Sequence, residues 1–283
     1  MPPILYLVAT PIGNLEDITL RALRILRQEV ALIACEDTRR TQKLLEHYDI
    51  RKPLLSYHEH NEAKRSADIL GKLEHGDSVA LVSDAGMPLI SDPGYRVVTA
   101  AIDAGFPVVP VPGASAALAA LAASGLPIDE FRFIGFLPSK SGARRKALES
   151  LASERATVVA YESPHRILET LSDMANILGE RRVVLAREMT KIHEEFIRGP
   201  ASAVRERLAE RGPVKGEIAL VIGRSEESAR IEDPLAEISR LQNEGLDRMG
   251  AIKAVAKRAG LSKREVYRLA AGLGSNPPDK RRD

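Results

Sequence analysis

Three glycine-containing loops hold the residues best suited to chemistry. The first is Ala9-Thr10-Pro11-Ile12-Gly13-Asn14-Leu15. Proline fixes φ there and glycine permits a positive φ, so the turn is rigid with its backbone polar groups open to a ligand. The second runs Val82-Ser83-Asp84-Ala85-Gly86-Met87-Pro88-Leu89-Ile90-Ser91-Asp92-Pro93-Gly94 and holds two Ser-Asp pairs. Its small residues, Ser83 and Gly86 among them, let a ligand approach the backbone. The Asp84 carboxylate can accept hydrogen bonds from a ribose diol or an amine. For the second pair, Ser91 or Asp92 could instead cap the following helix. The third loop, Val111-Pro112-Gly113-Ala114-Ser115-Ala116-Ala117, enters an Ala-rich helix whose first N–H groups offer a site for carboxylate or polar ligand atoms. A structural turn would leave the first loop unchanged, and close helix packing would leave the third. There is no Gly-x-x-x-x-Gly-Lys-Ser/Thr cradle, and no Gly-x-Gly-x-x-Gly follows the first apolar run. ATP hydrolysis and simple dinucleotide redox chemistry both lose ground.

The elements that must position these loops follow from periodicity. Short apolar runs at 4–9, 30–35, 54–57, 78–82 and 108–111 read as buried strands. Helical stripes separate them at 17–27, up to Leu45 and Tyr48, at 61–73 and at 97–103. This alternation predicts βαβ units and a parallel sheet covered on both faces, with ligands at the strand ends. The pattern resets after Leu126-Pro127. Strands are expected at 131–136, 157–161, 182–186, 196–198 and 217–222, with helices at 143–151, 167–178 and 203–209. That is a second α/β unit with a mixed sheet. A polar, aperiodic stretch follows, so the expected organisation is α/β domains over 1–125 and 126–225, a linker over 226–240 and a C-terminal domain over 241–283. In the last, a helix at 248–259, the turn Gly260-Leu261-Ser262 with Ser262 as N-cap, and a helix at 263–271 form a helix-turn-helix candidate.

Composition bounds the function class. Of 283 residues, 44% are hydrophobic and 28% charged, the balance of a soluble chain with a sizeable core. Aromatics are only 4% with no Trp, which argues against a binder built on stacked aromatic platforms. One cysteine, Cys35, excludes a disulfide framework or a Cys-rich zinc site. No signal-like start and no bilayer-length apolar run are visible, so a cytoplasmic protein without a membrane partner is expected. Net charge is +2, but residues 246–283 carry ten Lys/Arg against four acids, leaving +6 there and −4 elsewhere. A mildly acidic body with a basic tail suits an enzyme acting on a polyanion, although a solvated tail would look the same.

Four strings carry a resemblance: Val8 to Leu15, Cys35-Glu36-Asp37-Thr38-Arg39, Ser83 to Gly94, and Tyr161-Glu162-Ser163-Pro164-His165-Arg166. They resemble the tetrapyrrole methylase (precorrin methyltransferase-like) superfamily of S-adenosylmethionine enzymes. More narrowly, they resemble its small-subunit ribosomal RNA branch, which 2′-O-methylates a cytidine in the decoding region of 16S rRNA. The resemblance spans residues 4 to about 272. Tetrapyrrole-modifying members carry Gly-Asp-Pro where this chain has Ser83-Asp84-Ala85-Gly86. The resemblance implies a two-domain α/β fold with a cofactor cleft between the domains. It also implies S-adenosylmethionine as cofactor, 16S rRNA in the small ribosomal subunit as partner, and a homodimer. Pro11 would lie beside the cofactor, with Ser83, Asp84 and Gly86 near its ribose or methionine part. Ser115 and Ala116 would match a Thr-Ala pair after Pro-Gly, and Glu162 and Ile218 would supply backbone contacts around the adenine.

Methyl transfer from a sulfonium needs alignment and exclusion of water rather than covalent machinery. A ribose hydroxyl is a poor nucleophile at neutral pH, so a nearby base helps. Glu36 or His58 is the expected base, with Arg39 and Arg40 on phosphates and Arg187 and Lys191 as further RNA contacts. His58 and His60 with Glu59 lack further ligands, so no metal is expected. Two other readings stand beside this one: a tetrapyrrole small-molecule methylase, and a nucleic-acid-binding regulator with a metabolite-sensing body.

Overall fold

The computed structural model describes residues 2–225, 233–259 and 261–270. The first unit alternates strand and helix: β1 (Leu5–Val8), α1 (Leu20–Arg24), β2 (Leu32–Cys35), α2 (Thr38–His47), β3 (Leu54–Ser56), α3 (Glu62–Glu74), β4 (Val79–Val82), α4 (Tyr95–Asp103), β5 (Val108–Val111) and α5 (Ala116–Ala123). The single helix expected over 17–27 is broken into a 3₁₀ turn at Leu15–Asp17, α1, and a wider π turn at Ile25–Glu29. Thr19 starts α1 by accepting the Ala22 N–H at 3.1 Å. The five strands are all parallel in the order β3-β2-β4-β1-β5. Parallel pairing sends every strand's carboxyl end to one edge, so the loops after β1, β2, β4 and β5 converge there. Both faces are buried, as the strands' continuous apolar runs require. Tyr6, Val8, Ile33 and Ala80 pack against Ile25, Leu26 and Leu45, while Leu5, Leu7, Ala34 and Leu81 pack against Ile69, Leu73 and Val97.

The second unit is mixed, as its pattern predicts. It comprises β6 (Phe131–Phe136), α6 (Ser141–Ser150), β7 (Thr157–Glu162), α7 (Ile167–Leu178), β8 (Arg182–Arg187), β9 (Glu195–Pro200), α8 (Ala201–Ala209) and β10 (Ile218–Ile222). The order is β6-β7-β10-β8-β9, with only β6 and β7 parallel. Helices α6, α7 and α8 cover one face through Leu148, Leu171 and Val204. The other face presents Val159, Val184, Ala219 and Val221, and Ala117, Ala120 and Leu121 of α5 bury it, together with Ile12. The Ala-rich helix of the first unit therefore serves as the seam between the two sheets. Its small side chains allow the close approach.

The C-terminal unit differs from expectation. Residues 226–232 of the expected linker lie outside the described residues, but α9 (Pro234–Asn243) occupies the rest, capped by Asp233. It packs with α10 (Arg248–Ala259) and α11 (Lys263–Ala270) around Ile238, Leu241, Ile252, Val255 and Val266. Three helices rather than two were needed to close a core, because a lone helix pair buries too little apolar surface. Ser262 caps α11 as expected, and Glu265 reciprocates: its N–H donates to Ser262 Oγ at 3.2 Å and its carboxylate accepts the Ser262 N–H at 2.7 Å. The tail from 271 onward lies outside the described residues. Among the described residues no helix is long and apolar enough to cross a membrane.

Candidate functional site

A cleft of about 460 Å³ opens where the strand-end loops of the first sheet face β6, β7 and β10 of the second. The β1 and β4 loops are bolted together first. Thr10 and Gly86 exchange backbone hydrogen bonds at 2.9 and 3.0 Å, the Thr10 hydroxyl donates to the Ser83 carbonyl at 3.0 Å, and the Ser83 hydroxyl donates to the Gly86 carbonyl at 2.9 Å. Gly86 sits at φ +84°, which a side chain would resist. Asp84 ties this loop to the next one: one carboxylate oxygen accepts the Asp37 N–H at 3.0 Å and the other lies 3.4 Å from Arg40. Beyond it, Leu89 and Ser91 both hold left-handed backbone, φ +71° and +70°. Such positions cost about 1 kcal/mol or more each and persist only where the surroundings over-determine them.

Glu36, Asp84 and Asp92 line the first unit's side of the cleft, and Glu162 and Glu217 belong to the second unit's side. Burial, and then repulsion from Glu36 and Asp84, pushes the Asp92 carboxyl up to about 6, against a favourable hydrogen bond from Ser83. Apolar and aromatic side chains complete the lining, with Ile12, Met87, Ile90, Phe136 and Met189. Phe136 and Tyr161 meet edge to face, 5.4 Å between centroids, and burial raises the Tyr161 hydroxyl above its usual range. At the head of α5, Ser115 Oγ accepts the Leu118 N–H at 3.5 Å and Ala116 occupies the first turn, leaving a floor of small residues.

The second unit contributes strand ends. Ile218 begins β10, and Gly216 and Glu217 continue the wall. Glu162 ends β7, but its carboxylate faces inward. It accepts hydrogen bonds from Arg166 at 2.7 and 3.1 Å, from Thr170 at 2.6 Å and from the Ser163 N–H at 2.7 Å. It thereby fixes the Ser163-Pro164 turn that lines the cleft.

The expected site residues separate into groups. Asp84, Gly86, Ser115, Ala116, Glu162, Ile218, Glu36 and Arg40 share the cleft. Pro11 and Ser83 line a neighbouring hollow of about 150 Å³, along with Arg40 and Asp84. Arg39 is 89% exposed and lies 3.4 Å from Asp37. His58 lines neither hollow; its N–H donates to Asn61 Oδ1 at 2.9 Å and its Nε2 lies 3.0 Å from Asn61 Nδ2. Arg187 is committed to Glu195 at 2.6 Å and the Lys215 carbonyl at 2.9 Å. Lys191 is committed to Glu188 at 2.8 Å and Glu217 at 3.0 Å. Sequence reasoning missed Asp92, Phe136, Tyr161 and Glu217 as cleft residues. The second Ser-Asp pair was the available signal for Asp92; the cap of α4 is Gly94, at φ +144°, so neither Ser91 nor Asp92 has that duty.

A cleft of this size, with apolar lining and a few convergent polar groups, is a small-molecule site. Its half-buried carboxylate Asp92, with no cationic partner among the described residues, and its small-residue floor fit a nucleoside-sized ligand bearing a positive charge. The family model of the tetrapyrrole (corrin/porphyrin) methylases matches residues 4–205. The chain is 48% identical over 272 residues to the ribosomal RNA small subunit methyltransferase I of Halalkalibacterium halodurans, covering 94% of this chain and 93% of that one. It is 52% identical over 222 residues to the protein of that name from Thermotoga maritima, covering 78% of this chain and 99% of that one. Among solved structures, a cobalt precorrin-4 methyltransferase aligns with a TM-score of 0.58 at 19% identity, over 78% of this chain and 94% of that one. A Thermus thermophilus uroporphyrin-III C-methyltransferase complexed with S-adenyl homocysteine aligns with a TM-score of 0.53 at 21% identity, over 77% and 96%. The chain therefore belongs to the tetrapyrrole (corrin/porphyrin) methylases, in the branch of the ribosomal RNA small subunit methyltransferase I proteins.

Proposed function

We propose that this chain transfers a methyl group from S-adenosylmethionine to the 2′-hydroxyl of a cytidine in the decoding region of 16S rRNA, within the small ribosomal subunit. The observation that carries the reading is the cleft between the two sheets, lined by the carboxylates Glu36, Asp84 and Asp92 together with apolar and aromatic side chains, in a chain 48% identical to a ribosomal RNA small subunit methyltransferase I. The carboxylates suit a sulfonium and an ammonium group. The N-terminal turn of α5 at Ser115 and Ala116 suits the carboxylate end. The backbone at Glu162, Ser163 and Ile218 suits the adenine. When bound, the cofactor supplies a methyl group already activated by its positive sulfur.

The protein's own task is to orient the attacking hydroxyl, exclude water and receive its proton. Glu36, exposed at the cleft wall after β2, is the better placed of the two expected bases. Arg39 and Arg40 on α2 offer positive charge beside it, whereas Arg187 and Lys191 serve the fold through their ion pairs. The work takes place in the cytoplasm, where the small subunit is assembled. The chain works as a homodimer in this reading, and exposed Leu20, Tyr95 and Ile102 offer apolar surface for it. The test is methyl transfer from tritiated S-adenosylmethionine to purified small subunits, large subunits and a tetrapyrrole precursor in parallel. Label confined to small-subunit RNA supports the reading; label on the tetrapyrrole alone overturns it.

A further inference from the structure

The 150 Å³ hollow beside the cleft lies between the β1 loop, α2 and the start of the β4 loop. Arg40 and Asp84 belong to both walls, so whatever sits in the hollow lies directly against the cleft. The hollow is walled in part by two cations, Arg40 and Lys43, three residues apart on α2 and therefore neighbours on its surface. Lys43 is exposed and has no hydrogen bond or ion pair among the described residues. Among the described residues the Arg40 side chain pairs only with Asp84, at 3.4 Å. The remaining walls mix apolar Pro11, Leu15 and Leu44 with the hydroxyl-bearing Thr10, Thr41 and Ser83. They are also fixed: the Tyr48 hydroxyl holds the Leu15 carbonyl at 2.6 Å, and Asp37 caps α2 while its own N–H is held by Asp84. A site whose walls are already in place loses little freedom on binding.

Resting on the RNA-methylating reading, we propose that this hollow is the subsite for the target nucleotide of the RNA strand, with Arg40 and Lys43 on a backbone phosphate and the sugar facing the Asp84 wall. A guanidinium fork and an ammonium together suit a phosphodiester, and a remainder of apolar and hydroxyl-bearing side chains suits the carbon skeleton and hydroxyls of a sugar. Arg40 stands between Asp84 on one side and the phosphate position on the other. Seating the RNA therefore draws charge away from Asp84 on the cleft side, which couples the two hollows.

The test measures two affinities separately: S-adenosylhomocysteine by calorimetry, and purified small subunits by KM and by direct binding across a salt series. Lys43→Ala should leave the S-adenosylhomocysteine dissociation constant within twofold. It should raise the subunit KM about five- to tenfold and reduce the slope of log affinity against log salt by about 0.7–0.9, the contribution of one phosphate contact. Lys43→Arg should restore most of both. Leu44→Trp, which fills the hollow, should keep S-adenosylhomocysteine binding and abolish subunit binding; should it misfold, the exposed Lys43 pair decides alone. A tenfold loss of S-adenosylhomocysteine affinity in either variant would assign the hollow to the cofactor and overturn the proposal. An unchanged KM and salt slope in Lys43→Ala would overturn it too. A wild-type protein that binds S-adenosylhomocysteine but neither binds nor methylates small subunits would instead sink the RNA reading itself, before any substitution is made.

Discussion

Replacing Asp92 by Asn isolates the electrostatics of the cleft. Burial first, and then the Glu36 and Asp84 carboxylates, raise Asp92 from 3.8 to about 6. The folded value lies above the unfolded one, so folding favours the protonated acid. The stabilising contribution is present below about pH 4 and is lost as pH rises through about 6. At 1.36 kcal/mol per unit the ceiling is about 3 kcal/mol. The carboxyl is partly open to solvent, and screening lowers the expected effect to roughly 1 kcal/mol. Asn keeps the shape and cannot ionise, so Asp92→Asn should melt about 2–4 °C above wild type at pH 7.5. The gap should close near pH 4. Thermal unfolding across that pH range is the assay. A constant gap, or a less stable variant at pH 7.5, would refute the claim that these carboxylates repel one another in the fold. The same repulsion has a functional side, because a bound cation stabilises ionised Asp92. S-adenosylmethionine binding near pH 6 should then release protons in wild type, read by calorimetry in two buffers, and should release fewer in the variant.

Other perturbations address separate parts of the molecule. Asp84→Ala leaves the Asp37 N–H and Arg40 without their partner and should weaken S-adenosylmethionine binding more than tenfold in a folded protein, the loss of a charge-assisted hydrogen bond of about 1.5–3 kcal/mol; unchanged calorimetric affinity would sink this role. Glu162→Ala strands the half-buried Arg166 and the buried Thr170 and should cost about 2–3 kcal/mol by denaturant unfolding. A Cβ at Gly13 would lie 2.5 Å from Lys191 Cγ and 2.9 Å from the Met189 carbonyl, so Gly13→Ala should loosen the contact between the β1 and β8–β9 loops, cost about 1–3 kcal/mol and lower cofactor affinity. Deleting residues 246–283 should leave cofactor affinity intact, reduce methylation of small subunits and flatten its salt dependence, with the fold loss largest at low salt, as phosphate contacts from this +6 segment require; lost cofactor binding would show a structural role instead. Light scattering at micromolar concentration should report a dimer, and a monomer would contradict that expectation.

The loops that build the cleft were legible because each follows a buried strand whose boundaries are set by apolar runs and by Pro or Gly. Parallel pairing then brings them to one edge whatever their sequence separation. The fate of Asp92 was not legible. Leu89 and Ser91 are residue types that rarely take left-handed backbone, so nothing local announced that the chain turns twice there and carries Asp92 into the cleft instead of onto a helix cap. Phe136, Tyr161 and Glu217 belong to the other sheet and reach the cleft only because α5 packs across its face. Arg187 and Lys191 read as free cations, yet the partners that occupy them include Glu217, which is 26 residues from Lys191 and beside it only once β10 pairs with β8. Long-range ion pairs of this kind leave no periodic trace. The C-terminal unit was legible as a helix pair with its Ser262 cap, but α9 was absorbed into the linker because the polar run before it hid the Asp233-Pro234 start signal.

The central claim is ribose methylation of small-subunit RNA, and the product nucleoside tests it most directly. Small subunits isolated from cells lacking this activity would be incubated with the purified protein and S-adenosylmethionine carrying a labelled methyl group, and their 16S rRNA digested to nucleosides for mass analysis. The label is expected in a single product, a cytidine that keeps the added methyl group on its sugar fragment. A label on a base, on a nucleoside other than cytidine, or absent from RNA while the cofactor binds would contradict it.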